Sequence, residues 1–156
     1  AWLAATALSV IGLFNLFGTI AAGWMGSHWR KKNLLSLLYL SRGLLFLVFL
    51  YLPVNEITVI GFSAILGLLW LSTVPLTSGI VAQVFGIRYF SMLFGIVFMS
   101  HQFGRFAGAW LAGLIFDETG SYDLMWLAAV GFGLLAAVLH WPIREQPLAR
   151  LSQGAA

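Results

Sequence analysis

Apolar residues run along this chain in long blocks, each closed by a short stretch of Pro, Gly, Asn or charge. The blocks cover about 2–26, 34–52, 57–80, 91–116 and 123–141. Between them stand SHWRKKN (27–33), PVNE (53–56), VAQVFGIRYF (81–90) and DETGSY (117–122), and the tail PIREQPLARLSQGAA follows from Pro142. Each block holds 19 to 26 residues without period-two alternation. Strands of a membrane barrel are about ten residues long and alternate, so these blocks predict helices. About 20 apolar residues span a bilayer's hydrocarbon, and lipid offers the backbone no hydrogen-bond partner. The pattern therefore predicts an all-α, polytopic membrane bundle of five transmembrane helices. The connections are short, so successive helices should be antiparallel neighbours. We expect a partial transmembrane bundle over 1–143 and a cytoplasmic tail over 144–156.

Composition narrows this further. Of 156 residues, 61% are hydrophobic and 8% charged, against about a quarter charged in a soluble domain. So few charges cannot cover a water-facing surface. Disorder would need low hydrophobicity and high net charge, whereas the formal charge is +3. Eight basic residues are too few for a nucleic-acid patch, and no nucleic-acid partner is expected. There is no cysteine, hence no disulfide framework or thiolate metal site. The chain opens on Ala with no charged region before the first apolar run, so no signal peptide is visible. We expect it to be a piece of something longer.

The charges orient the bundle. Arg30, Lys31, Lys32, Arg88, Arg144 and Arg150 fall in connections of one side and the tail, while the other side carries Glu56, Asp117, Glu118 and Asp123. Basic residues accumulate on the cytoplasmic face, which predicts an outward N-terminus and a cytoplasmic C-terminus. Trp2 and Trp126 then fall at the outer boundary and Trp24, Trp29 and Trp141 at the inner one, where indole rings prefer to sit.

Two charges remain inside predicted spans, where an arginine costs about 2.5–3.5 kcal/mol on insertion scales. Arg42 lies nine residues past Asn33, about 13 Å deep, and its side chain can snorkel part of that distance. Arg105 lies 14 residues from Ser91 and 11 from Phe116, about 21 Å and 16 Å from the boundaries, beyond the reach of snorkelling. Apart from Asp123 at the outer edge of the last block, no Asp or Glu occurs in any predicted span. Arg105 must face a wet cavity, a carboxylate elsewhere or an anionic ligand.

His101 stands one helical turn before Arg105, flanked by Ser100 and Gln102. Arginine grips a carboxylate through two parallel bonds, and histidine can hydrogen-bond or carry a proton. Arg105, His101 and Gln102 are therefore candidate substrate-binding residues, as is the central pair Asn15 and Thr19; plain interhelical bonding is the alternative for that pair. Gly104, Gly108 and Ala112, and likewise Gly18, Ala22 and Gly26, repeat every fourth residue, a row that lets helices approach closely. Pro75 should kink the third helix, with Thr73, Thr77 and Ser78 placed to satisfy the freed backbone groups. No hydrolase, zinc-protease or phosphate-loop motif is present. Neither enzymatic activity nor a cofactor is expected.

Two stretches carry a resemblance. GWMGSHWRKK (23–32) resembles a worn copy of the Gly-x-x-x-Asp-Arg-x-Gly-Arg-Arg loop of the major facilitator superfamily: Gly23, Lys31 and Lys32 match, while Ser27, His28 and Arg30 replace Asp, Arg and Gly. Residues 69–126 read like helices ten to twelve of bacterial relatives of the monocarboxylate transporters and oxalate/formate antiporters. The resemblance implies that the five blocks are helices eight to twelve of a twelve-helix transporter, lacking helix seven and the N-terminal half. It further implies secondary active transport of a small organic anion, monocarboxylate-like, by alternating access in a bacterial inner membrane. A proton is a candidate co-substrate in symport, and the partners are the bilayer and the missing half. Cationic residues of helices eight and eleven contact substrate in such transporters; here helix eleven offers Arg105 and helix eight only Asn15 and Thr19. The alternative is a five-helix assembly subunit that transports nothing and holds a partner through its small-residue faces.

Overall fold

The computed structural model describes residues 2–148; Ala1 and residues 149–156, with Arg150 of the basic count, lie outside them. Every regular element among the described residues is a helix: α1 (Trp2–His28), α2 (Lys31–Tyr51), α3 (Glu56–Trp70), α4 (Thr73–Phe85), α5 (Phe90–Thr119) and α6 (Asp123–His140). The exterior is apolar, with Leu8 70% and Phe132 71% exposed, which suits lipid rather than water. The fully buried core is small, a cluster of Ala22, Leu34, Leu35 and Leu76.

Where the sequence predicts one helix over 57–80, two are found, and the prediction of a simple kink is corrected. Pro75 sits in the first turn of α4, where its missing N–H costs nothing. The cost falls four residues upstream, since the proline ring crowds the carbonyl at Leu71 and cannot donate to it. The chain breaks at Leu71 and Ser72, and the Leu71 carbonyl accepts instead from Val74 N at 3.0 Å. Of the freed groups, the Leu68 carbonyl is met by the buried Ser72 hydroxyl. Thr73 and Ser78 bond the carbonyls of Trp70 and Pro75, so Ser72 takes the part the sequence gives to its neighbours. The start of α3 is fixed by a reciprocal cap: the Asn55 side chain accepts from Thr58 N at 2.9 Å, and the Thr58 hydroxyl from Asn55 N at 3.0 Å.

Two pairs of helices pack closely through glycine. α1 lies on α3 because neither backbone is held off by a side chain: a Cβ on Gly18 would stand 2.1 Å from the Leu68 oxygen, and one on Gly67 2.6 Å from the Ile11 oxygen. Gly26 instead receives the Leu76 side chain of α4, whose Cδ2 would stand 2.7 Å from an added Cβ, so the Gly18, Ala22 and Gly26 row is a packing seam. α2 lies on α6 through Gly43 and Gly133, where a Cβ on Gly133 would be 3.1 Å from the Gly43 Cα, and Ser36 Oγ donates to the Ala137 carbonyl at 2.9 Å. At the end carrying Glu56 and Asp123, Phe46, Phe49, Phe62 and Trp126 form an aromatic cluster with ring centroids 4.1–6.0 Å apart. Trp126 thus packs inward as well as standing near a helix end.

The other end collects the basic residues. α1 and α2 each run further than expected, so the connection over 27–33 shrinks to Trp29 and Arg30. Lys31 and Lys32 then occupy the first turn of α2, the wrong end of the helix dipole for cations. Glu145 offsets this by accepting from Lys32 N, and Gln83 Nε2 donates to the Glu145 carbonyl at 2.8 Å. Leu148 N continues the contact to the Val84 carbonyl at 3.1 Å. The residues after α6 therefore fold back across the start of α2 and the end of α4.

Candidate functional site

α5 is the element that bears the candidate chemistry, and it differs from its neighbours in both composition and packing. Four helical stretches are long and apolar enough to cross a bilayer: Trp2–His28, Lys31–Tyr51, Glu56–Phe85 and Asp123–His140. α5 is 30 residues long, but Ser100, His101, Gln102, Arg105 and its glycines dilute its apolarity. None of its residues is buried, and it touches the bundle mainly along parts of α4 and α6. Its ends are well defined: Gly120 ends it in the left-handed region at φ 68°, with its N–H donating to the Phe116 carbonyl at 2.8 Å, a conformation glycine adopts without steric cost.

The polar stripe on α5 is open. Arg105 Nη1 donates to Gln102 Oε1 at 3.5 Å, one turn away, a long bond that leaves most of the guanidinium fork unused. His101 lies beside Phe98 with centroids 6.1 Å apart, and Ser100 Oγ returns its proton to the Val97 carbonyl at 2.7 Å. All four are solvent-accessible in this chain. Gly104 and Gly108 have nothing within 4 Å of a would-be Cβ, so the small-residue row on α5 receives no helix here, unlike its counterpart on α1.

Asn15 and Thr19 are not brought to α5. Both are half-buried on α1, and Asn15 Oδ1 accepts from Leu71 N at 3.2 Å. Of its two readings, cavity lining and interhelical bonding, the observed contact is the second, and it falls on the break between α3 and α4. The nearby open pocket, about 240 Å³ between α1, α2 and the break, is lined almost wholly by apolar residues such as Leu34, Leu38, Leu68 and Leu76. It offers no seat for a carboxylate.

Arg42 also reaches this region. Its guanidinium lies 5.7 Å from the Tyr39 ring centroid on α2 and 5.8 Å from that of Trp70 at the end of α3. Two aromatic faces stabilise a partly desolvated arginine by cation–π attraction, which accounts for a charge at that depth without a carboxylate. The sequence signal for it was the pair Tyr39 and Arg42 three residues apart on one helix face. The α2–α6 seam was also missed, although Ala129, Gly133 and Ala137 repeat every fourth residue. Among the described residues no group of His, Asp and Glu is placed to hold a metal ion.

The helical fold, its apolar exterior and its long apolar helices define an integral, multi-pass membrane protein. Comparison with known proteins gives that class a particular set of relatives. The chain is 28% identical over 139 residues to the uncharacterized MFS-type transporter YcxA of Bacillus subtilis, a match covering 85% of this chain and 34% of that protein. It is 25% identical over 139 residues to monocarboxylate transporter 12-B of Danio rerio, covering 87% and 29%, and 27% identical over 135 residues to monocarboxylate transporter 12 of Homo sapiens, covering 85% and 26%. Its curated relatives are thus major facilitator-type transporters, and the chain spans about a third or less of their length. No family model and no solved structure matches it.

Proposed function

We propose that this chain is the C-terminal portion of a secondary active transporter that moves a small organic anion, monocarboxylate-like, by alternating access. The observation that carries the reading is α5: it holds Arg105, His101 and Gln102 on an uncovered helix inside an otherwise lipid-compatible bundle. A central arginine with an unfilled fork suits an anion, and several relatives are named as monocarboxylate transporters. In this reading the rest of the transporter faces the polar stripe and completes a cavity around it. Arg105 holds the substrate carboxylate, while His101 and Gln102 supply hydrogen bonds and His101 is the candidate proton carrier. Asn15 acts at one remove, by holding the α3–α4 break from α1, with Thr19 on the same face.

The same reading places the protein in the inner (plasma) membrane of a bacterium with five spans in this chain. The basic end, with the C-terminus, faces the cytoplasm and the N-terminus of the chain faces out, as the distribution of Lys and Arg favours. The test is uptake of radiolabelled monocarboxylates into proteoliposomes by the full-length protein. Arg105→Ala should cut uptake at least about a hundredfold, the scale expected when a bidentate charge contact at a site is removed. Unchanged affinity and rate would refute the assignment. Uptake that ignores an imposed pH gradient would remove the proton, and saturable uptake by residues 1–156 alone would overturn the reading as a portion.

A further inference from the structure

At the basic end of the bundle a second site is built, with none of its lining drawn from α5. A cavity of about 480 Å³ lies between the start of α2, the end of α4 and the returning segment after α6. That size lies within the range of small-ligand sites. Its charged and amide walls are Arg30, Lys32, Gln83, Arg144, Glu145 and Gln146. Three cations from two segments, Arg30 and Lys32 at the start of α2 and Arg144 of the returning segment, thus converge against one carboxylate, a formal balance of +2. The carboxylate is already engaged, because Glu145 Oε1 accepts from Lys32 N.

The walls are fixed by bonds that do not consume the cavity. Lys32 Nζ donates to the Trp141 carbonyl at 2.9 Å. Gln83 is held from both sides, its Oε1 accepting from Lys31 Nζ at 3.0 Å and its Nε2 donating to the Glu145 carbonyl at 2.8 Å. Arg30 and Arg144 line the same cavity, and their planar forks match the oxygens of a phosphate. Trp29 and Trp141, 56% and 76% exposed, flank the region, and indole rings of this kind mark the headgroup level of a bilayer.

We propose that this cavity binds the phosphate group of an anionic phospholipid, which bridges Arg30 of the α1–α2 connection to Arg144 of the returning segment. The bound headgroup joins two segments of the chain that otherwise meet through a few hydrogen bonds. The inference stands apart from the transport reading, because lipid retention is measured without turnover. Native mass spectrometry of the full-length protein released from nanodiscs of equimolar phosphatidylglycerol and phosphatidylcholine is the test. Phosphatidylglycerol should be retained in about tenfold preference, and R30Q/R144Q should lower that retention about tenfold or more. Arg88→Gln is the matched control: it removes a cation at the same end that stacks on Tyr89 at 5.6 Å outside the cavity, and should leave retention unchanged. Circular dichroism checks that each variant is folded, and should the double variant fail it, Arg144→Gln alone, outside every helix, carries the test. Equal retention of the two lipids, or equal retention by the wild type and the arginine variant, overturns the proposal. Displacement of phosphatidylglycerol by millimolar inorganic phosphate would keep the phosphate site and overturn the lipid as its occupant.

Discussion

Substituting Gly18 by alanine probes the α1–α3 seam with a single methyl group. The added Cβ would stand 2.1 Å from the Leu68 oxygen, 2.7 Å from its carbonyl carbon and 2.8 Å from its Cα, against the 3.4 Å at which ordinary contact begins. The shortfall at the oxygen is about 1.3 Å, and every atom met is backbone, so no rotamer change relieves it. α1 and α3 must move apart locally. Overpacking of this kind costs about 1–3 kcal/mol, and the Asn15 to Leu71 bond one turn away, at 3.2 Å, is strained as well, a further loss of about 1 kcal/mol. Against this stands a gain of up to about 1 kcal/mol in helix propensity. The net is a destabilisation of about 1–3 kcal/mol. Gly23, five residues on, has nothing within 4 Å of a would-be Cβ, so Gly23→Ala keeps the propensity gain without the clash and should be neutral or stabilising. Reversible unfolding by sodium dodecyl sulfate in mixed micelles, followed by circular dichroism, reads both variants. Should Gly18→Ala and Gly23→Ala agree within about 0.5 kcal/mol, the seam as described is wrong.

Asn15→Leu keeps the volume but removes the acceptor for Leu71 N; it should destabilise the bundle by about 1 kcal/mol and speed amide hydrogen exchange at Leu71 relative to the rest of α3. Arg42→Lys keeps the charge but loses planar stacking on Tyr39 and Trp70. It should cost about 0.5–2 kcal/mol in the same unfolding assay and shift the Trp70 contribution to fluorescence; an unchanged midpoint and spectrum would show that the stacking contributes nothing.

Much of the fold was legible because a bilayer imposes few choices on a chain. Long apolar blocks closed by Pro, Asn or charge had to become helices, and the ends at Asn55 and Gly120 follow from capping chemistry. The break at Leu71 was half legible: Pro75 announced a disturbance, but its place follows only from the rule that the proline ring acts on the carbonyl four residues back. Which small-residue rows would be used was not legible. Gly18 and Gly104 begin rows of the same spacing, yet the first is filled by α3 and the second faces open space. Spacing states that a helix is able to approach, and the partner is decided by what the rest of the chain leaves available. The candidate site divided for the same reason. Arg105, His101 and Gln102 lie together because helical periodicity puts them so, whereas Asn15 was claimed by an unpaired N–H that no sequence pattern discloses.

The sparse packing of α5 bears on how the protein is made. A segment about 45 Å long with an arginine near its middle enters a membrane at a penalty that α4 and α6, which carry no arginine, do not pay. α1 to α4 emerge from the ribosome before it and α6 after it, and the α1–α3 seam forms entirely among helices already synthesised. α5 thus arrives beside a pre-assembled apolar surface, and its retention in the bilayer depends on that surface and on the late arrival of α6. The helix that carries the polar stripe is, for that very composition, the one least able to insert unaided.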